Sequence, residues 1–305
     1  MNSLVSIVIC WRQGTDDMLT ACLKSIQRHT RDVEYEVVLV NADPPDSLFE
    51  SVPDIRDVVS LKSLRYISIP MTPEEATSKT HGKMLDEVIP SRVNSKYVLT
   101  LDSDCFPVAD GWLSELIAKL ENGAALAGIL HPWAPPPEDM PKSKIEYRVR
   151  SQHCWNVTHV ACQLIRLEDY KVLHEKGCRY NAGDDTGLAL PKMILSTGGK
   201  IDGFKVTRCP AVWEGDLDPE FNRYVCLVYG DKVYHHGGYS RNRITSEMVF
   251  AKSFSWCEEL VVWGYGAQFL LNDRFSYRFK LDREEEIAKE KMQRLFGMSG
   301  QRMLG

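Results

Sequence analysis

Short apolar runs separated by amphipathic stretches give this chain its pattern. Residues 4–10 form a nearly unbroken apolar run, the signature of a strand covered on both faces. A polar loop follows, where Thr15 or Asp16 can cap a helix whose Leu19, Cys22, Leu23 and Ile26 share one face. Residues 36–40 predict a second strand, stopped by Pro44 and Pro45. A third strand is predicted over 64–69, then a helix over 81–89 with Met84, Leu85, Val88 and Ile89 inward. Next come a strand over 97–101, a helix over 112–121 closed by Gly123, and a strand over 125–130. Strands alternating with helices predict an α/β fold with a mostly parallel, doubly wound, Rossmann-like sheet flanked by helices.

Beyond residue 130 the regularity breaks. His131-Pro132-Trp133-Ala134-Pro135-Pro136-Pro137 reads as a stiff extended loop, either a connector or one wall of a groove. Further strands are predicted over 160–167 and 200–208, with a helix over 184–194 between them. From about residue 244 the chain turns helical and aromatic, ending in a charged amphipathic segment over 282–296. That segment suits packing on the body or on a partner better than on a membrane surface, because its acidic first half repels anionic lipid. The expected organisation is a main domain over 1–245 and a helical C-terminal extension over 246–305.

Composition narrows the class. A chain of 305 residues with 44% hydrophobic and 26% charged residues has the balance of a globular protein with a sizeable core. A net charge of −5 disfavours a nucleic-acid partner, which wants a basic surface. Nine cysteines include no Cys-x-x-Cys pair, which favours buried reduced thiols over a zinc ribbon. No apolar run approaches the ~20 residues of a membrane span. The first residues lack the charged region and long apolar core of a signal peptide, so the sequon Asn156-Val157-Thr158 is set aside. Together these point to the cytoplasm, with a peripheral membrane location as the alternative. Nothing fixes the oligomeric state.

The chemistry starts at Tyr97-Val-Leu-Thr-Leu-Asp102-Ser103-Asp104, an apolar strand ending in two carboxylates spaced i, i+2. On extended backbone such residues point the same way. At the C-terminal end of a buried strand they occupy the rim where α/β proteins dock ligands. Paired carboxylates repel unless a cation or proton intervenes. Mg²⁺ or Mn²⁺ suits such oxygens and shares them readily with phosphates. A second triplet, Asp216-Leu217-Asp218, follows Trp-Glu-Gly and reads as a solvated turn.

Five segments in order resemble family 2 glycosyltransferases of the GT-A fold, over roughly residues 4–245. They are the opening strand and helix (Ser6 to Cys10, Leu23 to Ile26), the strand ending at Asn41-Ala42-Asp43, and Asp102-Ser103-Asp104-Cys105-Phe106-Pro107. Next is Tyr180-Asn181-Ala182-Gly183-Asp184-Asp185, and last His235-His236-Gly237-Gly238-Tyr239-Ser240. Asn41 stands where the family usually has an acid, and Asp184-Asp185 where it usually has Glu-Asp. The resemblance implies an inverting, metal-dependent transferase using a nucleotide-sugar, with UDP-sugars favoured. It divides the main domain at about residue 130 into a nucleotide-sugar half and an acceptor half. It places Asp104 on the metal (Mn²⁺ or Mg²⁺), Asp102 on metal or ribose or both, and His235, or else His236, as a late ligand. Asn41, Asp43, Ser103, Lys83 and Arg241 or Arg243 fall to the nucleotide-sugar, with Lys79 and His81 as weaker candidates. Asp185 becomes the base and Asp184 orients it.

Alone, each of these residues has an ordinary reading. The acidic pair can be a helix cap, the His pair a turn, and Arg241, Arg243, Lys79 and Lys83 solvated surface. The shared order lifts them above that. A haloacid-dehalogenase-type phosphatase would place its Asp-x-Asp strand first, and a sugar nucleotidyltransferase would need a glycine-rich loop where only Gly14 stands. The acceptor is expected to be a glycan or lipid-linked sugar. A protein, a modified nucleobase, or a non-catalytic binding module are the alternatives. Of Trp133, Trp155, Trp213, Trp256 and Trp263, most suit core filling better than sugar stacking.

Overall fold

A computed structural model of the chain describes residues 3–11, 16–41, 64–69, 80–133, 155–182, 186–208 and 227–235. Seven strands form the main sheet: β1 (Val5–Trp11), β2 (Tyr35–Asn41), β3 (Leu64–Ser68), β4 (Tyr97–Asp102), β6 (Leu126–Trp133), β7 (Trp155–Arg166) and β8 (Ile201–Arg208). Their order is β3-β2-β1-β4-β7-β6-β8. All run the same way except β7, which is antiparallel to both neighbours. The sheet continues past β8 through β9 (Leu227–Tyr229) and β10 (Val233–His235) to β5 (Cys105–Pro107). The expected α/β architecture, a mostly parallel sheet flanked by helices, holds.

Alternation along the central strands explains the layers. Ile7 and Ile9 of β1, Leu39 of β2 and Leu99 and Leu101 of β4 pack with α1 (Asp16–His29) and α3 (Trp112–Glu121). Val8, Val38, Val40 and Val98 face the other way, onto α2 (Thr80–Arg92), α4 (Leu167–Glu175) and α5 (Ala189–Ser196). Each such side chain, removed from water, contributes about 1.5–3 kcal/mol. Trp11 and Trp112 lie in this core.

Several boundaries differ from expectation for physical reasons. Helix α2 runs past Pro90 to Arg92, the proline forgoing one backbone bond near the C-terminal end without stopping the helix. Residues 131–133, read as loop, extend β6 and pair with β7 as far as Trp133↔Trp155. Strand β8 pairs β6 only to Leu130↔Lys205, so among the described residues Pro132 has one neighbouring strand, the setting in which sheets accept proline. Strand β7 starts earlier than expected, and α4 was not anticipated. The predicted helix over 184–194 is described only from Ala189. Asp216-Leu217-Asp218, Trp213 and the extension over 246–305 lie outside the described residues. Among the described residues no helix is long and apolar enough to cross a membrane, and the five cysteines are free thiols.

Candidate metal centre

Strand β4 lies between β1 and β7, and its last residue, Asp102, pairs with Cys10 at the C-terminal rim. Trp11, one residue on, pairs with Asn41. Asn41 and Asp102 therefore end neighbouring strands on either side of β1, where the strand order reverses direction and α/β ligands bind. After Asp102 the chain turns through Ser103 and Asp104 into β5. The carboxylates approach each other through this turn rather than by strand alternation, which corrects the reason expected for their pairing.

Antiparallel pairing between β5 and β10 sets His235 directly opposite Cys105, the residue after Asp104. One ligand atom each from Asp102, Asp104 and His235 can be chosen so that all lie within 4.8 Å of one another. His235 Nε2 stands 3.8 Å from Asp104 Oδ1, both side chains being nearly enclosed. Burial pushes the His235 imidazole well below its ordinary pKa, and the neighbouring His159 adds to this. A neutral imidazole is the ligating form. Its buried Nδ1 has no hydrogen-bond partner among the described residues. Two carboxylates and one neutral nitrogen are compatible with a divalent ion.

Helix α1 fixes the backbone of this loop. Cys22, Ser25 and His29, spaced i, i+3, i+7 on one helical face, reach the 105–110 segment in turn. The Cys22 thiol donates to Cys105 O at 3.2 Å, the Ser25 hydroxyl donates to Pro107 O, and His29 Nδ1 meets Asp110 Oδ1 at 2.7 Å. Burial first, then the Asp102 charge, pushes up the pKa of the Cys10 thiol, which sits beside Asp102 on the neighbouring strand.

Helix α2 delivers a second imidazole. His81 Nε2 lies 3.5 Å from Asp102 Oδ1. One residue later, a Cβ on Gly82 would meet the Asn181 backbone at 2.8 Å. The Asp86 carboxylate accepts the N–H groups of Tyr180 at 2.7 Å and Asn181 at 2.9 Å, and the Tyr170 hydroxyl at 3.1 Å. Further along, Gly187 donates to Tyr180 O at 2.8 Å and has a positive φ of 76°, packed on Val160.

Of the residues singled out in the sequence, Asp102, Asp104 and His235 come together, with Ser103 half-buried between the carboxylates. Asn41 is fully buried at the same rim, and Lys83 stands exposed on α2 two positions after His81. Asp43, Lys79, Asp184, Asp185, His236, Arg241 and Arg243 lie outside the described residues. Sequence reasoning ranked His81 low and missed His159, a half-exposed residue of β7 whose ring centroid is 5.3 Å from that of His235.

No family model and no curated protein matches this sequence. Similar solved structures include the galactosyltransferase LgtC in complex with donor and acceptor sugar analogs, at 14% identity and a TM-score of 0.41, covering 65% of this chain and 73% of that one. The 1–349 portion of TarS from S. aureus is 14% identical, with a TM-score of 0.43, covering 100% of this chain and 76% of that one. The bifunctional glycosyltransferase WbbM in its apo form is 15% identical, with a TM-score of 0.37, covering 58% of this chain and 33% of that one.

Proposed function

We propose that this chain is an inverting glycosyltransferase of the GT-A type, moving a sugar from a nucleoside-diphosphate donor, by preference a UDP-sugar, to an acceptor hydroxyl. The observation that carries the reading is the convergence of Asp102, Asp104 and His235 at the sheet rim beside β1. Asp104 and His235 would hold a divalent ion, Mn²⁺ before Mg²⁺, with Asp102 shared between ion and ribose. Such an ion supplies Lewis-acid neutralisation of the charge on a departing diphosphate. Asn41, at the end of the neighbouring strand, would read the base through its amide. His81 holds Asp102 in position from α2.

In the reaction the acceptor oxygen bonds to the anomeric carbon while the bond from that carbon to the diphosphate oxygen breaks. The electron pair leaves with the nucleoside diphosphate, and the acceptor proton passes to a carboxylate. We assign that carboxylate to Asp185, with Asp184 orienting it, a base contribution worth typically ~10²–10⁴ in rate. A single displacement inverts the anomeric centre and needs no sugar–enzyme intermediate. In support, Asn181, which precedes residues 183–185, lies against Gly82, next to His81. A glycan or lipid-linked sugar is the favoured acceptor.

The test is a thermal-shift screen of nucleotide-sugars with and without Mn²⁺, followed by hydrolysis or transfer of the best binder. A metal-dependent rise in melting temperature, with turnover, supports the reading. Metal-dependent binding without any turnover would mark a sugar-binding module instead. No binding by any nucleotide-sugar would overturn both.

A further inference from the structure

We propose that His159 is a hydrogen-bond donor to a phosphate oxygen of the bound nucleoside diphosphate, beside the metal centre but not a ligand of it. This rests on the glycosyltransferase reading and adds a residue to it.

The backbone of β7 is distorted at this residue. Between the pairs Gly128↔Gln163 and Leu130↔Thr158, β6 advances two positions while β7 spends five. Such bulges re-aim side chains, commonly beside active sites. Side chains hold this one. Gln163 Nε2 donates to Thr158 Oγ1 at 2.9 Å, and the Thr100 hydroxyl donates to Val160 O at 2.7 Å. Opposite, Gly128 leaves room, since a Cβ there would collide with the Cys162 carbonyl. Across residues 157–165 every side chain is buried except that of His159. The ladder is interrupted, and the one group turned outward is an imidazole beside His235.

Its tautomer decides its role. The backbone N–H of Ala161 donates to His159 Nδ1 at 3.1 Å, so Nδ1 offers its lone pair and the neutral ring carries its hydrogen on Nε2. A nitrogen bearing hydrogen cannot ligate a cation, but it can donate to an anionic oxygen. The group that shares a divalent ion with protein carboxylates is typically a diphosphate. A donor one ring away from the ligand His235 is therefore placed for the oxygens of that diphosphate, and its hydrogen bond would stabilise the charge arriving on the leaving group.

Calorimetric titration of the full chain tests this, with Mn²⁺ alone in one arm and UDP at saturating Mn²⁺ in the other, GDP, CDP and TDP running beside it. His159→Phe and His159→Ala should weaken diphosphate binding about tenfold, the loss of one charge-assisted hydrogen bond. Both should lower the affinity for Mn²⁺ alone far less than His235→Ala does, because no ligand is removed. His159→Gln, which restores an N–H donor, should recover part of the loss. Unchanged diphosphate affinity in the folded variants overturns the inference and leaves the glycosyltransferase reading standing. A fall in Mn²⁺ affinity matching that of His235→Ala also overturns it, by making His159 a ligand. If the wild-type chain binds none of the four diphosphates, this inference and the reading beneath it fail together.

Discussion

The Asp86 carboxylate accepts the Tyr180 N–H at 2.7 Å, tying α2 to a turn far along the chain. The same carboxylate also takes the Asn181 N–H and the Tyr170 hydroxyl. Charge-assisted bonds of this kind contribute more than neutral ones, and removing the acceptor strands its donors. Asp86→Ala should therefore lower the free energy of unfolding by about 2–3 kcal/mol, read from urea denaturation. A loss under half of that would mean the turn is held by packing alone.

Gly82→Ala puts two effects in opposition. In a helix interior alanine gains about 1 kcal/mol over glycine. Here the added Cβ would stand 2.8 Å from backbone atoms of Asn181, which cannot rotate away as a side chain can. Overpacking of this kind costs about 1–3 kcal/mol, so the net effect is destabilising. A melting temperature equal to or above wild type would show that the 180–182 turn yields freely.

Asp104 tests the candidate metal centre without reference to turnover. Its side chain is nearly enclosed and faces His235. Ligand binding to the folded state alone stabilises it by about 2.7 kcal/mol at a hundredfold excess over Kd. Wild type should show a rise in melting temperature with Mn²⁺ that EDTA reverses. Asp104→Asn should lose most of that rise while folding normally without metal, since the amide keeps the size and shape of the carboxylate. An undiminished Mn²⁺ shift in the variant would place the ion elsewhere.

Legibility in the sequence followed the range of the forces involved. Strands β1, β2 and β4 showed as apolar runs because burial on both faces leaves a local signature. Asp102 and Asp104 were readable because they end such a run. His235 was legible only through the order of segments, since its place depends on three-residue strands β5 and β10 pairing across the chain. No periodicity can mark strands that short. His159 left no mark, because its bulge depends on the Thr100 hydroxyl reaching Val160 O from another strand as well as on the local Gln163–Thr158 bond. Residues 131–133 misled for a related reason: proline argues against a strand until the missing neighbour beyond Leu130 is known.

His29 gives the fold a definite pH dependence. It is 2% exposed at the end of α1, and burial lowers its pKa, outweighing the opposing pull of Asp110; Arg28 and Arg31 push the same way as burial. In the unfolded chain a histidine titrates near ~6.5. As pH falls below that value the unfolded state takes up a proton that the folded state still refuses. Stability contributed by the neutral ring is thus full above the unfolded pKa and declines as pH drops towards the folded one, the reverse of a histidine stabilised by its charge. The slope from this one group cannot exceed about 1.4 kcal/mol per pH unit. His29→Gln removes the titration while keeping a side-chain donor for Asp110. Urea unfolding at pH 7, 6 and 5 should show a shallower decline for the variant than for wild type. Parallel declines would assign the acid sensitivity to other groups and leave His29 a packing residue only.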